Sequence, residues 1–147
     1  MSSEIKKGLI GVISDETKVS EVMPDINSLT YRGYTVQDLC AKCKFEEVAY
    51  LLLHDDLPNK EQLEEFEKKE RSNRPISDSL KSIIKNYPKN SHPMDTTRTS
   101  VSHMGLEDPD AADNSKEANM RKAMRLLAKI STAVAADFRV RKGEKII

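Results

Sequence analysis

The fold of this chain is decided by its longest helical pattern, which reads SKEANMRKAMRLLAKISTAVAADFRVRKG over residues 115–143. About 28 of these residues are expected to form one helix, which at 1.5 Å per residue is roughly 42 Å long. Two apolar stripes run along this helix. One stripe is Met120, Met124, Leu127, Ser131, Val134 and Phe138, and the other is Leu126, Ile130, Ala133 and Val140. A helix that is apolar on two sides needs two packing partners, so the pattern predicts association beyond the chain's own core.

Capping residues, prolines and glycines divide the rest of the chain into five further helices. A side-chain oxygen before a helix accepts a free N–H group, and proline cannot continue a helix. The first predicted helix is 36–42, with Thr35 and Asp38 as its cap pair, and the second runs from Phe45 and is ended by Leu57-Pro58. The third begins at the cap pair Asn59 and Gln62 and is stopped by Pro75. The fourth runs from Ser77 to Pro88, and the fifth from Pro93 to Gly105. For the long last helix, Asn114 with Glu117 is the predicted cap and Gly143 the predicted end.

The β signal is confined to the first residues. β-Favouring residues on either side of a turn at residues 15–17 predict a short hairpin within residues 7–22, which Pro24 ends. These residues are Leu9, Ile10, Val12, Ile13, Val19 and Val22. Residues 29–31 predict one more brief extended segment. The predicted fold class is therefore mainly α, a bundle-like helical segment (35–147) preceded by a short β-hairpin and extended segment (1–34).

Composition excludes several classes of protein. The chain has 147 residues, a length for one domain, and its 24 basic and 24 acidic residues give zero net charge. Zero net charge argues against a nucleic-acid binder, which would be strongly basic. No apolar run approaches the ~20 residues that span a bilayer, and the first residues lack the apolar core of a secretory signal. With two cysteines only, a reducing, cytoplasmic compartment is expected.

Cys40 and Cys43 form a C-x-x-C motif that allows three interpretations. A metal site would need two more ligands, and the sequence offers no second pair of suitable spacing. A redox motif would normally open a helix after a strand, whereas these cysteines fall at a helix end. We therefore favour two small core residues.

The three histidines form no recognisable catalytic pattern. None of His54, His92 and His103 has a histidine partner at i+4 or stands beside a serine or cysteine with an obvious orienting carboxylate. His92 is expected to cap the helix that starts at Pro93. We assign no catalytic, cofactor-binding or metal-binding residue.

The stretch from Lys116 carries nine basic residues against three acidic ones, a net +6. Such a surface can contact phosphates, or it can meet an acidic surface such as residues 107–113 of its own or another chain. Because aromatic residues are not interleaved with the charges, we do not expect nucleic-acid binding.

Five stretches in order resemble the citrate synthase family, including its 2-methylcitrate synthase branch. They are KGLIGV (7–12), NSLTYRGY (27–34), FEEVAYLL (45–52), HPMD (92–95) with Arg98-Thr99, and RLLAKI (125–130). The resemblance covers nearly the whole chain and corresponds to the family's N-terminal part. It implies that these helices belong to the large helical domain of such an enzyme.

The resemblance also implies a function. The enzymes of this family condense acetyl-CoA, or propionyl-CoA, with oxaloacetate to give citrate, or 2-methylcitrate, and CoA. A carboxylate removes the thioester's proton, histidines stabilise the enol, and arginines hold the oxoacid carboxylates. The family's glycine-bordered histidine segments and its later aspartate are absent here, so the chain alone is expected to be inactive and to need no cofactor.

Family members are homodimers built on antiparallel helices, which implies an interface on the helices from Pro93 and from Ser115. The expected interface residues are Met94, Arg98, Val101, Met120, Met124, Leu127 and Val134. Two alternatives remain: a non-catalytic assembly or regulatory module that pairs with a full-length synthase, and an unrelated metal-binding helical protein that uses Cys40 and Cys43.

Overall fold

The computed structural model describes residue 8, residues 11–13 and residues 15–147. The chain forms two compact units, Met1–Asn59 and Lys60–Ile147. The predicted mainly helical fold class is confirmed. The predicted division between residues 34 and 35 falls inside the first unit, where it separates the strands from the helices, and stays a prediction.

The first unit contains a three-stranded antiparallel sheet. Its strands are β1 (Ser20–Met23), β2 (Ser28–Tyr31) and β3 (Tyr34–Thr35), in the order β1-β2-β3. Ser20 pairs with Tyr31, and Tyr31 pairs in turn with Tyr34. Arg32 and Gly33 connect β2 to β3 with φ angles of 50° and 87°. Positive φ at both central residues is the requirement of a type I′ hairpin turn, which glycine meets without strain.

The predicted hairpin at residues 7–22 is wrong in its position. Its Leu9 and Ile10 lie outside the described residues, and Val12 and Ile13 form no strand. The hairpin lies later, between β1 and β2, because Pro24 opens a short 3₁₀ helix (Pro24–Ile26) that reverses the chain. The predicted extended segment at residues 29–31 forms most of β2.

Two helices complete the first unit, α1 (Val36–Lys42) and α2 (Phe45–His54). The Thr35 hydroxyl accepts from the Asp38 backbone N–H at 3.2 Å and donates to the Asp38 carboxylate at 2.8 Å, so Thr35 caps α1 as predicted. Helix α2 ends at His54, earlier than the predicted Leu57-Pro58, because Asp55 takes a left-handed φ of 74°. Leu51 is fully buried.

The second unit is a helical bundle built around its last helix. Its helices are α3 (Lys60–Asn73), α4 (Asp78–Asn86), α5 (Pro93–Leu106) and α6 (Lys116–Arg141). Helix α6 packs against α3, α4 and α5. The core of this unit consists of Ile76, Leu80, Ile84, Met104, Ala133 and Ala136, with Tyr87, Leu126, Val140 and Ile146 packed around it.

Helix α6 has 26 residues and ends, as predicted, before Gly143, whose φ is 76°. Its cap is Ser115, whose hydroxyl accepts from the Ala118 N–H at 3.3 Å, and not the predicted Asn114. The inward face of α6 is lined by small residues that the predicted stripes largely missed, namely Ala118, Ala128, Ala133 and Ala136. Small side chains allow helix axes to approach closely, so α3, α4 and α5 can pack closely against this face of α6.

The two predicted apolar stripes have different outcomes. Leu126, Ala133 and Val140 from one stripe pack in or against the core. On the other stripe, Val134 and Phe138 are 46% and 59% exposed. The second unit therefore leaves part of an apolar α6 face in contact with solvent.

Candidate functional site on helices α5 and α6

A crevice of about 270 Å³ lies between α5, α6 and the acidic loop that joins them, and we call it the α5–α6 crevice. Apolar surface predominates in its lining, which also includes charged side chains. The lining residues are Val101, Met104, Gly105, Glu107, Asp108, Pro109, Ala111, Lys122, Arg125, Leu126 and Lys129. Both helices that the family resemblance assigned to an interface therefore border the same depression.

The acidic loop is fastened to α6 by a network of ion pairs. Arg125 contacts Asp108 at 2.7 Å and Asp110 at 2.5 Å, and Arg121 contacts Asp110 at 2.7 Å. Arg125 donates to both oxygens of Asp108, from Nε at 2.8 Å and from Nη2 at 2.7 Å. This fork-to-fork geometry is the strong form of an arginine–carboxylate contact.

The network lowers the pKa values of its carboxyl groups. Hydrogen bonds from Arg121 and Arg125 hold the pKa of Asp110 far below its usual range. Burial alone would raise the pKa of Asp108, but hydrogen bonds from Arg125 and from the Asp110 N–H outweigh it and lower that pKa. Both carboxylates are therefore ionised throughout the physiological range.

These contacts bear on the two interpretations of the basic stretch. Arg121 and Arg125 meet the acidic loop of their own chain. Arg139 pairs with Glu144 at 3.0 Å, and Arg141 pairs with Asp137 at 2.8 Å. Four of the nine basic residues therefore have carboxylate partners inside the chain, which leaves less positive charge for phosphate groups.

A second, buried network fastens the other end of α6. Asp137 is 7% exposed and accepts hydrogen bonds from Thr96 Oγ1 at 3.0 Å and Arg141 Nε at 2.8 Å. Arg141 also donates to the backbone carbonyls of Lys89 and Ser91, both at 2.8 Å. Because Asp137 and Thr96 lie on different helices, this network fixes α6 against α5. The sequence did not predict this network, since its contacts between elements join residues 41 to 52 positions apart.

Each histidine has a local structural contact. His92 caps α5 as predicted, because its Nδ1 accepts from the Met94 N–H at 3.2 Å. His54 stacks on Tyr50 with ring centroids 4.2 Å apart. His103 Nε2 lies 3.0 Å from Ser79 Oγ and 3.2 Å from Glu107 Oε1. A nucleophile–base–carboxylate relay needs the two partners on opposite ring nitrogens, so this cluster does not have a triad's geometry.

The first unit contains a polar cluster that the sequence reasoning missed. Arg32 pairs with Asp55 at 2.6 Å and donates to the Leu52 carbonyl at 3.2 Å. The Tyr34 hydroxyl donates to Asp56 at 3.0 Å. The hydrogen bond to Asp56 raises the pKa of Tyr34, with smaller contributions from the Asp56 charge, burial and Cys43. These contacts attach the β2–β3 turn to the end of α2.

The residues of the expected interface differ in how much surface they offer. Met94 and Val134 are 64% and 46% exposed, and Arg98 is exposed beside Asp95, with 3.3 Å between Nη2 and Oδ1. Val101, Met120 and Leu127 are half-buried, whereas Met124 is buried and contributes to the chain's own packing. The interface assignment stays a prediction for all seven residues.

The two cysteines are free, with Cys40 exposed and Cys43 half-buried. The favoured interpretation as core residues is therefore wrong for Cys40. Leu39 takes the inward position of this turn at 3% exposure, and the 100° step to the next residue points Cys40 to solvent. Within the described residues, His, Cys, Asp and Glu side chains form no group of three or more that could hold a metal ion.

In the described part of the chain, the helices are too short or too polar to cross a membrane.

Comparison with known proteins identifies the family. Residues 8–147 match the family model described as citrate synthase, C-terminal domain. The chain belongs to the citrate synthase family. This result confirms the resemblance found in the sequence, and it excludes the alternative of an unrelated metal-binding protein.

Individual citrate synthase relatives agree in sequence and in fold. The chain is 50% identical over 140 residues to the 2-methylcitrate synthase of Mycobacterium tuberculosis (strain ATCC 25618 / H37Rv). The aligned region covers 95% of this chain and 35% of that protein. The chain is 49% identical over 139 residues to the citrate synthase of Mycolicibacterium smegmatis, over 95% of this chain and 37% of that protein. The crystal structure of citrate synthase from Pyrobaculum aerophilum superposes with a TM-score of 0.87 at 29% identity, over 95% of this chain and 37% of that one. The chain thus spans little more than a third of the length of these citrate synthase relatives.

Proposed function

We propose that this chain is the N-terminal portion of a citrate synthase-type acyltransferase, which condenses acetyl-CoA or propionyl-CoA with oxaloacetate and releases CoA. The observation that carries the proposal is the identity of about half of all residues to proteins named 2-methylcitrate synthase and citrate synthase, along 95% of the chain. Oxaloacetate and the acyl-CoA are substrates of the longer enzyme, and its location is expected to be the cytoplasm.

Within such an enzyme, we propose that this chain supplies scaffold. Its charged side chains hold its own elements together, as Arg125 of α6 does with Asp108 of the acidic loop and Asp137 of α6 does with Thr96 of α5. The three histidines cap a helix, stack on a tyrosine or contact a neighbouring helix. The 147-residue chain alone is accordingly expected to be inactive.

An assay of CoA release tests this proposal. The purified 147-residue chain is incubated with oxaloacetate and either acetyl-CoA or propionyl-CoA, and free thiol is followed with a chromogenic disulfide. No turnover above the protein-free background is expected. Turnover by this chain with either thioester would overturn the scaffold assignment, because residues of this chain would then have to carry the chemistry.

We further propose that α5 and α6 form a homodimer interface. Met94 on α5 and Val134 and Phe138 on α6 expose large apolar side chains, and burying apolar surface is favourable at roughly 25 cal/mol per Å². A charged residue in the middle of such a contact would be desolvated without a partner, which costs several kcal/mol.

Sedimentation velocity distinguishes this interface from other exposed apolar surface. We expect the wild-type chain to sediment as a dimer, and Val134→Asp and Met94→Asp to sediment as monomers. Phe45→Asp is the matched control, because Phe45 is 67% exposed but lies on α2. A monomeric wild type, or dissociation by the control variant alone, would contradict the proposal.

The alternative is that the chain is a non-catalytic module that pairs with a full-length synthase through the same helices. The exposed apolar residues of α6 favour it to the same degree. Mixing the tagged chain with a full-length synthase distinguishes the two: hetero-complex formation that Val134→Asp abolishes supports the module, and exclusive self-association supports the homodimer.

A further inference from the structure

The C-x-x-C motif at the end of α1 is accounted for neither by packing nor by the proposed scaffold role. Cys40 is exposed on the last turn of the helix, and Cys43 is half-buried immediately after it. The buried position of this turn belongs to Leu39. The two thiols are therefore available for chemistry that small core residues could not perform.

The backbone brings the two cysteines onto one helical turn. The Cys43 N–H donates to the Leu39 carbonyl at 2.9 Å, so the turn that contains Cys40 continues up to Cys43. Residues three apart on a helix lie on the same face, with about 5–6 Å between Cβ atoms. A disulfide needs about 3.5–4.5 Å between Cβ atoms, so an approach of roughly 1–2 Å is enough to close one.

The conformation of Cys43 makes that approach feasible. Cys43 is the C-cap of α1, with φ −113° and ψ 150°, so its backbone has already left the helix. A residue in this extended region can adjust its dihedral angles without breaking a helical hydrogen bond of its own carbonyl. If both cysteines lay inside a longer helix, they would lack this freedom.

We propose that Cys40 and Cys43 form a thiol–disulfide exchange site, which closes to an internal disulfide on reaction with a small disulfide such as oxidised glutathione. In the first step, the Cys40 thiolate attacks one sulfur of the small disulfide, forms a mixed disulfide and displaces one thiolate. In the second step, the Cys43 thiolate attacks the Cys40 sulfur and displaces the other. The two cysteines lose two electrons and two protons, and the small disulfide is reduced to two thiols.

Mass spectrometry of the whole chain tests the exchange. The chain is equilibrated in buffers of defined ratio of reduced to oxidised glutathione, and thiols are trapped with acid. The wild type is expected to lose two hydrogen atoms, and peptide mapping to place the bond between residues 40 and 43. Cys40→Ser and Cys43→Ser are expected instead to gain one glutathione each. A wild type that ends as a mixed disulfide, as a cross-linked dimer or unreacted overturns the proposal.

A comparison of folded and unfolded chain tests the part that the fold plays. If the end of α1 favours closure, the effective concentration of the two thiols should be at least about tenfold higher in buffer than in concentrated urea. Equal values in the two solvents would show that the fold contributes nothing and would overturn the proposal.

The double variant Cys40→Ser/Ala41→Cys is the matched control. It keeps two cysteines at the end of α1 but changes their spacing from three positions to two, at residues 41 and 43. Residues two apart on a helix do not face each other. The effective concentration of its two thiols in buffer is expected to fall to about the value measured in concentrated urea. Closure as favourable as in the wild type would show that helical spacing is not responsible.

Discussion

Arg141 Nε donates a hydrogen bond to Asp137 Oδ2 across 2.8 Å, one turn apart near the end of α6. The same Asp137 oxygen accepts from Thr96 Oγ1 on α5, and Asp137 is almost completely buried. An ion pair that is also hydrogen-bonded to a second helix constrains where that helix can pack, because the carboxylate cannot be left without partners in the interior.

Replacement of Asp137 should destabilise the second unit strongly. Asp137→Ala removes the acceptor shared by Arg141 and Thr96, and we expect a loss of about 3 kcal/mol in the free energy of unfolding. Urea denaturation followed by circular dichroism measures it. Asp95→Ala is the control, since Asp95 and Arg98 form an exposed pair 3.3 Å apart that is worth about 0–1 kcal/mol. Equal losses in the two variants would contradict the assigned role.

The network of Asp108 and Asp110 should make stability depend on pH in acid. Because Arg121 and Arg125 lower the pKa of Asp110 below its unfolded value of about 3.9, the contribution of Asp110 is complete above that pH and is lost as the pH falls further. We expect Asp110→Asn to be less stable than the wild type at pH 7 and the difference to shrink below about pH 4.

Denaturant titrations at a series of pH values measure this difference. Asp25→Asn is the control, because it makes the same change at an exposed position. A stability difference for Asp110→Asn that stays constant from neutral pH to about pH 2 would rule out the linkage.

The cap of α6 can be located by a pair of neighbouring substitutions. Ser115→Ala removes the hydroxyl that accepts from the Ala118 N–H, and it should lower the free energy of unfolding by about 1 kcal/mol. Asn114→Ala should have a smaller effect, because the side chain of Asn114 is not the cap. Thermal unfolding of the two variants measures both losses of stability. A larger loss for Asn114→Ala than for Ser115→Ala would show that Asn114 is the cap.

Truncation of a core leucine should show which helices share one core. Leu80 on α4 is 1% exposed and belongs to the cluster that α5 and α6 complete. Leu80→Ala should lower the free energy of unfolding by about 3 kcal/mol, from lost burial and the cavity left behind. Leu106→Ala is the control, because Leu106 is 85% exposed, and it should change the free energy of unfolding little. A small effect at Leu80 would mean that the cluster does not stabilise the bundle.

Much of the helical architecture was predictable from the sequence, because the ends of helices depend on neighbouring residues. Thr35, Ser77, His92 and Gly143 mark helix boundaries where they were expected. One error, the cap of α6, arose where two local signals compete. Asn114 and Ser115 both suit a cap, and in the structure it is the Ser115 hydroxyl that accepts from the Ala118 N–H.

The sequence by itself determined that this chain is mainly helical, where most of its helices begin and end, and which family it resembles. Only the tertiary structure decided which polar side chains from distant parts of the chain meet. The pairing of Asp108 with Arg125, and of Asp137 with Thr96, joins residues 17 and 41 positions apart. The structure also placed alanines on the inner face of α6 and exposed Cys40. The physical reason is that caps and turns depend on short-range contacts, whereas burial and ion pairing depend on how whole helices pack.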